Sequence, residues 1–180
     1  DQLAAAIGGL NHMKFSKDNL RVDPLIISRE RKSALENNLL MFYTGINRFA
    51  SEVLKEQIEK TQEKKIIVEL KEIHDMVDTG ISILADESKS LDEFGKLMDK
   101  AWMAKRSLSS AISNNFLDEI YDAAKSAGAE GGKLLGAGGG GFFVFYVPKN
   151  KQDAVKNALS HLHQIDFHFE NEGTRIIYFN

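Results

Sequence analysis

Cysteine is absent from the 180-residue chain, which excludes a disulfide framework, a thiolate metal site and a thiol nucleophile and fits a reducing cytoplasm. Long hydrophobic runs are absent too. None approaches the roughly 20 residues that a helix needs to cross a bilayer, so no membrane partner is expected. An excess of positive charge is also lacking: 23 Lys and Arg stand against 26 Asp and Glu, for a formal net charge of -3. No broad positive field draws in a polyanion, so nucleic acid is not an expected partner. The opening, Asp1-Gln2-Leu3-Ala4-Ala5-Ala6, has no initiator methionine and no basic stretch followed by an apolar one. It is not a secretory signal. The expectation is a cut inside a longer protein, with removal of a start methionine as the alternative.

What is present is ordinary globular material, 43% hydrophobic and 27% charged. That suits one compact domain, or one domain plus a strand or two of a neighbour, with no long disordered tail. Two short apolar segments within residues 11–27 flank Ser16-Lys17-Asp18-Asn19, a cluster of turn formers, and predict a hairpin. Leu39-Leu40-Met41-Phe42-Tyr43 is a third strand candidate. It leads through Thr44-Gly45 into an amphipathic stretch carrying Phe49, Val53, Leu54 and Ile58.

Over residues 64–85 the apolar positions Ile66, Leu70, Ile73, Val77, Ile81 and Leu84 recur every three or four residues, the period of a helix burying one face. The next helix is expected at Ser90, with Glu93 closing a capping box and Leu91, Phe94, Met98, Trp102 and Leu108 as its buried stripe. A third begins near Asn115, turns Phe116, Leu117, Ile120, Tyr121 and Ala124 inward, and stops at Gly128 in a left-handed cap. The aromatic, β-branched run Phe142-Phe143-Val144-Phe145-Tyr146-Val147 is a strand ended by Pro148. A short helix over residues 153–162 and a closing hairpin, residues 165–169 against 175–179, complete the expectation. The pattern is α+β.

Eight of the 14 glycines fall within residues 128–141. In a regular element each glycine costs roughly 0.5–1 kcal/mol, so such density needs a local cause. A Walker loop requires Lys and then Ser or Thr after the last glycine, where this chain has Phe142-Phe143. A dinucleotide fingerprint is formally met by Gly136, Gly138 and Gly141, but it requires a following helix to aim its dipole at pyrophosphate, and a strand follows. What remains is a glycine turn between two strands. It is either a phosphate-lining loop or a wide hairpin connection at a sheet edge.

The string KLLGAGGGGFFVFYV resembles the third motif of the GHMP kinase superfamily, the glycine-rich loop of its carboxy-terminal domain. The opening DQLAAAIGGLN resembles the segment that begins with that family's catalytic aspartate. Together with RVDPL, FYTGINR and SNNFLDEIYDAAKSAGAEGGKLLGAGGGGFF, the likeness points to the D-glycero-D-manno-heptose phosphate kinase branch and runs over residues 1–147. The resemblance implies a ferredoxin-like carboxy-terminal domain with additional helices over residues 31–180. Residues 1–30, a helix and a hairpin, would be a remnant of the preceding amino-terminal kinase domain. It further implies ATP and Mg2+ as cosubstrates and transfer of the γ-phosphoryl group to a sugar or sugar-phosphate hydroxyl. Carried over by position, Asp1 accepts or orients the hydroxyl proton, and Gly136, Ala137, Gly138, Gly139, Gly140 and Gly141 line the phosphate cleft. Lys133 either adds charge there or is a solvated strand-end lysine. Thr44, Gly45 and Arg48 are candidate sugar contacts, Arg48 equally a helix-surface residue. Leu134-Leu135 stand where many members carry a hydroxyl. The family's main ATP loop has no counterpart in these residues, so the missing amino-terminal half is an expected partner and the chain alone is expected to be inactive.

His161, His163 and His168 lack the spacing and the carboxylates of a metal site, and no nucleophile elbow is present. The rings of residues 142–146 are read as buried strand residues rather than a base-stacking surface. A non-catalytic ferredoxin-like sensing module is the alternative from a different class.

Overall fold

The computed structural model describes residues 2–47, 50–64 and 66–178. A short helix α1 (Gln2–Ile7) leads into an antiparallel hairpin of β1 (Asn11–Phe15) and β2 (Leu20–Pro24), which form a two-stranded sheet of their own. The amide of Ser16 closes its turn on the Asn19 carbonyl at 2.9 Å. After α2 (Arg29–Asn37) comes β3 (Leu39–Tyr43), then four helices, α3 (Ala50–Gln62), α4 (Ile67–Ala85), α5 (Asp92–Ser107) and α6 (Asn115–Ser126). The chain returns as β4 (Gly131–Leu134) and β5 (Phe142–Tyr146), crosses through α7 (Gln152–Ala158) and ends its sheet with β6 (His163–Ile165).

The four strands lie in the order β4-β5-β3-β6, antiparallel at every pairing. Strand, helices, hairpin, helix and strand in that order make the ferredoxin-like α+β arrangement, enlarged by extra helices in its first crossover. Both sheet faces are covered, which is why β5 reads as a continuous apolar run. Phe143 and Phe145 turn to one face, in register with Phe42 and Leu40, and pack with Trp102, Leu117, Ile120, Tyr121, Val155 and Leu159. The Trp102 ring stands edge-on to Phe143 at 5.7 Å. Val144 and Tyr146 turn to the other face and meet Leu35, Leu84 and Met98. No helix among the described residues is long and apolar enough to cross a membrane.

Several local expectations change. The Ser90 hydroxyl accepts from the amide of Asp92 at 3.1 Å rather than from Glu93, so α5 starts from a serine turn instead of a reciprocal capping box. Asn114 caps α6 by accepting from Leu117 N at 3.0 Å. The inward stripe of α6 is Leu117, Ile120, Tyr121 and Ala124, whereas Phe116, one residue and about 100° round the helix from Leu117, is 42% exposed. Val77 of α4 and Ile58 of α3 are also exposed. Phe49 lies outside the described residues, and α7 ends at Ala158 rather than near residue 162.

The closing hairpin does not form among the described residues. Ile165 instead pairs with Met41 of β3, and residues 166–178 make no ladder. Their backbone groups have found other partners. Phe169 N donates to the Glu36 carboxylate at 2.5 Å, Gly9 N to Glu170 O at 2.9 Å, and Thr174 N to Ala6 O at 3.0 Å. The segment is thereby laid across α2 and α1, which removes it from hairpin pairing. Phe179, the expected end of that hairpin, is outside the described residues.

Candidate functional site

The link between β4 and β5 follows a path that only glycine takes without strain. Gly136, Gly138, Gly139 and Gly141 have φ values of +74°, +116°, +78° and +97°, in the region where a Cβ collides with its own backbone. Gly138 has a further reason, since a Cβ there would sit 2.9 Å from Ile112 Cα. Gly131, just upstream, lies against the α5 backbone at Gly95 and Asp99. The glycine density thus has two local causes, a left-handed loop and close packing of β4 on α5.

The loop is stitched to its surroundings at defined points. Gly139 N donates to Ile112 O at 2.8 Å and Gly141 N to Ile46 O at 2.9 Å. Thr44, buried at the end of β3, sends both its amide and its hydroxyl to Gly141 O, each at 2.9 Å. The amides of Gly136, Ala137 and Gly140 donate to no protein acceptor among the described residues. Such amides, on a loop free of side-chain obstruction, are what a phosphate oxygen accepts from.

Two ammonium groups stand beside that loop. Lys133, in β4, keeps access to solvent, yet the protein around it lowers its pKa by desolvation. Lys105, at the end of α5, donates from Nζ to Gly136 O at 2.5 Å. Its pKa is pushed down to about 8, first by burial and then by the charge of Lys133. Neither lysine has an ion-pair partner among the described residues. Periodicity alone does not single out Lys105, because a lysine in the last turn of a helix reads as a solvated cation facing the helix dipole. Its spacing of three from the buried Trp102 is the signal that places it one turn along the same side of the helix.

Of the other expected site residues, Gly45 is exposed at φ +77° directly after Thr44. Asp1 and Arg48 lie outside the described residues. Tyr43 and Phe142, cross-strand partners at the loop's edge, meet with their rings tilted by 40° at 5.1 Å between centroids. A groove of about 410 Å³ runs between the β1–β2 hairpin, α4 and α5 and has Lys133 in its wall; Ile73, Val77, Phe94 and Met98 make it chiefly apolar. No group of three His, Asp or Glu gathers to hold a metal ion among the described residues.

Residues 82–164 match the family model described as "GHMP kinases C terminal". The D-glycero-alpha-D-manno-heptose 7-phosphate kinase of Campylobacter jejuni is 33% identical over 181 residues, covering 97% of this chain and 52% of that protein. The chain therefore spans about half the length of this curated relative. Among solved structures, a putative sugar kinase from Campylobacter jejuni superposes with a TM-score of 0.61 at 31% identity, over 96% of this chain and 48% of the other. The L. major mevalonate kinase in complex with R-mevalonate gives 0.67 at 23% identity, over 88% and 47%, and shows the shared fold. Residues 82–164 thus form a GHMP kinase carboxy-terminal domain, and along its length the chain resembles the D-glycero-alpha-D-manno-heptose 7-phosphate kinase of Campylobacter jejuni.

Proposed function

We propose that this chain is the carboxy-terminal part of an ATP-dependent sugar kinase that phosphorylates a hydroxyl of a heptose phosphate. The observation that carries the reading is the glycine loop, where the amides of Gly136, Ala137 and Gly140 have no protein acceptor and the nearby Lys105 and Lys133 no ion-pair partner among the described residues. Resemblance to a heptose 7-phosphate kinase supports the substrate class.

In this reading ATP supplies the γ-phosphoryl group, and residues 136–141 form one wall of the cleft around its phosphates, with Lys133 adding charge. Asp1 accepts or orients the proton of the attacking hydroxyl, a carboxylate role worth about 10²–10⁴-fold in rate. Thr44, Gly45 and Arg48 flank the sugar. Residues 1–30 complete the preceding kinase domain and residues 31–180 form the carboxy-terminal domain, a division supported by the separate two-stranded sheet of the hairpin. The main ATP loop and the protein ligands for Mg2+ belong to the other half of the parent protein, and the enzyme draws on cytoplasmic ATP. The chain alone does not turn over.

Calorimetry with magnesium-ATP tests the division of labour. The 180-residue chain should bind weakly or not at all and the whole gene product should bind; tight binding by the chain alone contradicts it. In the whole product Asp1→Asn should lower kcat about 10²–10⁴-fold with little change in the KM for ATP. A variant with undiminished kcat removes Asp1 from the chemistry.

A further inference from the structure

Lys105 is assigned no role by the family likeness, and its surroundings give it one. It lies half-buried at the end of α5, with Nζ held by Gly136 O at 2.5 Å. Lys133 is close enough for its charge to be felt at Lys105. A carbonyl oxygen does not neutralise an ammonium, and two like charges brought together under partial desolvation are each destabilised until an opposite charge joins them. Among the described residues no carboxylate does so. On the same loop the amide of Gly136 finds no protein acceptor among the described residues either.

We propose that Lys105 and Lys133 together form a binding site for a phosphate group at the mouth of the glycine loop. In it Lys105 both contacts the anion and ties down Gly136. The proposal rests on reading the loop as the phosphate wall of a kinase cleft, and it adds to that wall a cation from α5. A point charge on a flexible stem suits either a nucleotide phosphate or the phosphate of a phosphorylated sugar.

The test is lysine-resolved NMR on the whole gene product, titrated separately with inorganic phosphate, ADP without magnesium, and a sugar phosphate. Phosphate should shift the Lys105 and Lys133 side-chain signals together and raise the Lys105 pKa. Lys105→Met should weaken phosphate binding at least tenfold, and Lys105→Arg should recover most of the loss. Equal shifts with ADP assign the site to the nucleotide, and a response to the sugar phosphate alone assigns it to the acceptor. Unmoved Lys105 signals, or unchanged phosphate affinity in a folded Lys105→Met variant, overturn the proposal. The kinase reading is judged separately by ADP release. Turnover without a phosphate response removes the site and leaves the kinase, whereas a response without turnover leaves the site and removes the kinase.

Discussion

Thr44 and Gly141, 97 positions apart, are joined twice, for the amide and the hydroxyl of Thr44 both reach the Gly141 carbonyl at 2.9 Å. This double bond of donors fixes the downstream end of the glycine loop to the end of β3. Valine matches threonine in shape but has no hydroxyl, so Thr44→Val should cost about 0.5–1.5 kcal/mol, the net worth of a partly buried hydrogen bond. Thr44→Ser should retain the bond. Urea unfolding of the pair measures the difference, and equal midpoints at equal slopes would remove the hydroxyl from the account.

The loop glycines separate into those limited by φ alone and those limited by space as well. Gly136, at φ +74° with nothing within 4 Å of a built Cβ, should tolerate alanine for about 1–2 kcal/mol. Gly138→Ala adds a collision with the Ile112 main chain and should be the more destabilising of the two. Thermal unfolding of both variants checks the ranking.

Much of this arrangement was legible in the residues. The period of α4 and α5, the aromatic run of β5 and the density of glycine all report local geometry, and local geometry is what side-chain spacing encodes. The closing hairpin was misread because residues 165–169 carry a strand-like pattern, while their actual partners, Glu36 and β3, are set by the tertiary path. Lys105 was missed for the same reason. Its importance comes from Gly136, 31 positions away, and no pattern within α5 reports that.

Lys105 gives stability a pH dependence with a definite sign. Its folded pKa of about 8 lies below the ordinary 10.5, so between those values the unfolded chain binds more protons and the group's contribution to stability rises with pH. Wild-type protein should therefore gain stability relative to Lys105→Met as pH rises from about 8 toward 9.5 in phosphate-free buffer. Parallel pH profiles for the two proteins would contradict the burial of this ammonium.

Glu36 works in the opposite range. Its carboxyl is held below the usual 4.5, chiefly by the Phe169 amide and then by His168. Its contribution is full above that pH and lost as the pH falls through its folded value. Acidification through that folded value, or Glu36→Gln at neutral pH, should lower the protection factor for hydrogen exchange at Phe169, measured against the intrinsic rate at each pH. Protection that persists in both would show that other contacts hold the segment.

The central claim, sugar phosphorylation by the parent of this chain, is tested most directly by ADP release from the whole gene product. The assay supplies magnesium-ATP and, in turn, heptose phosphates, galactose, fucose and mevalonate. The account predicts turnover with a heptose phosphate. Turnover of mevalonate and of no sugar would contradict it.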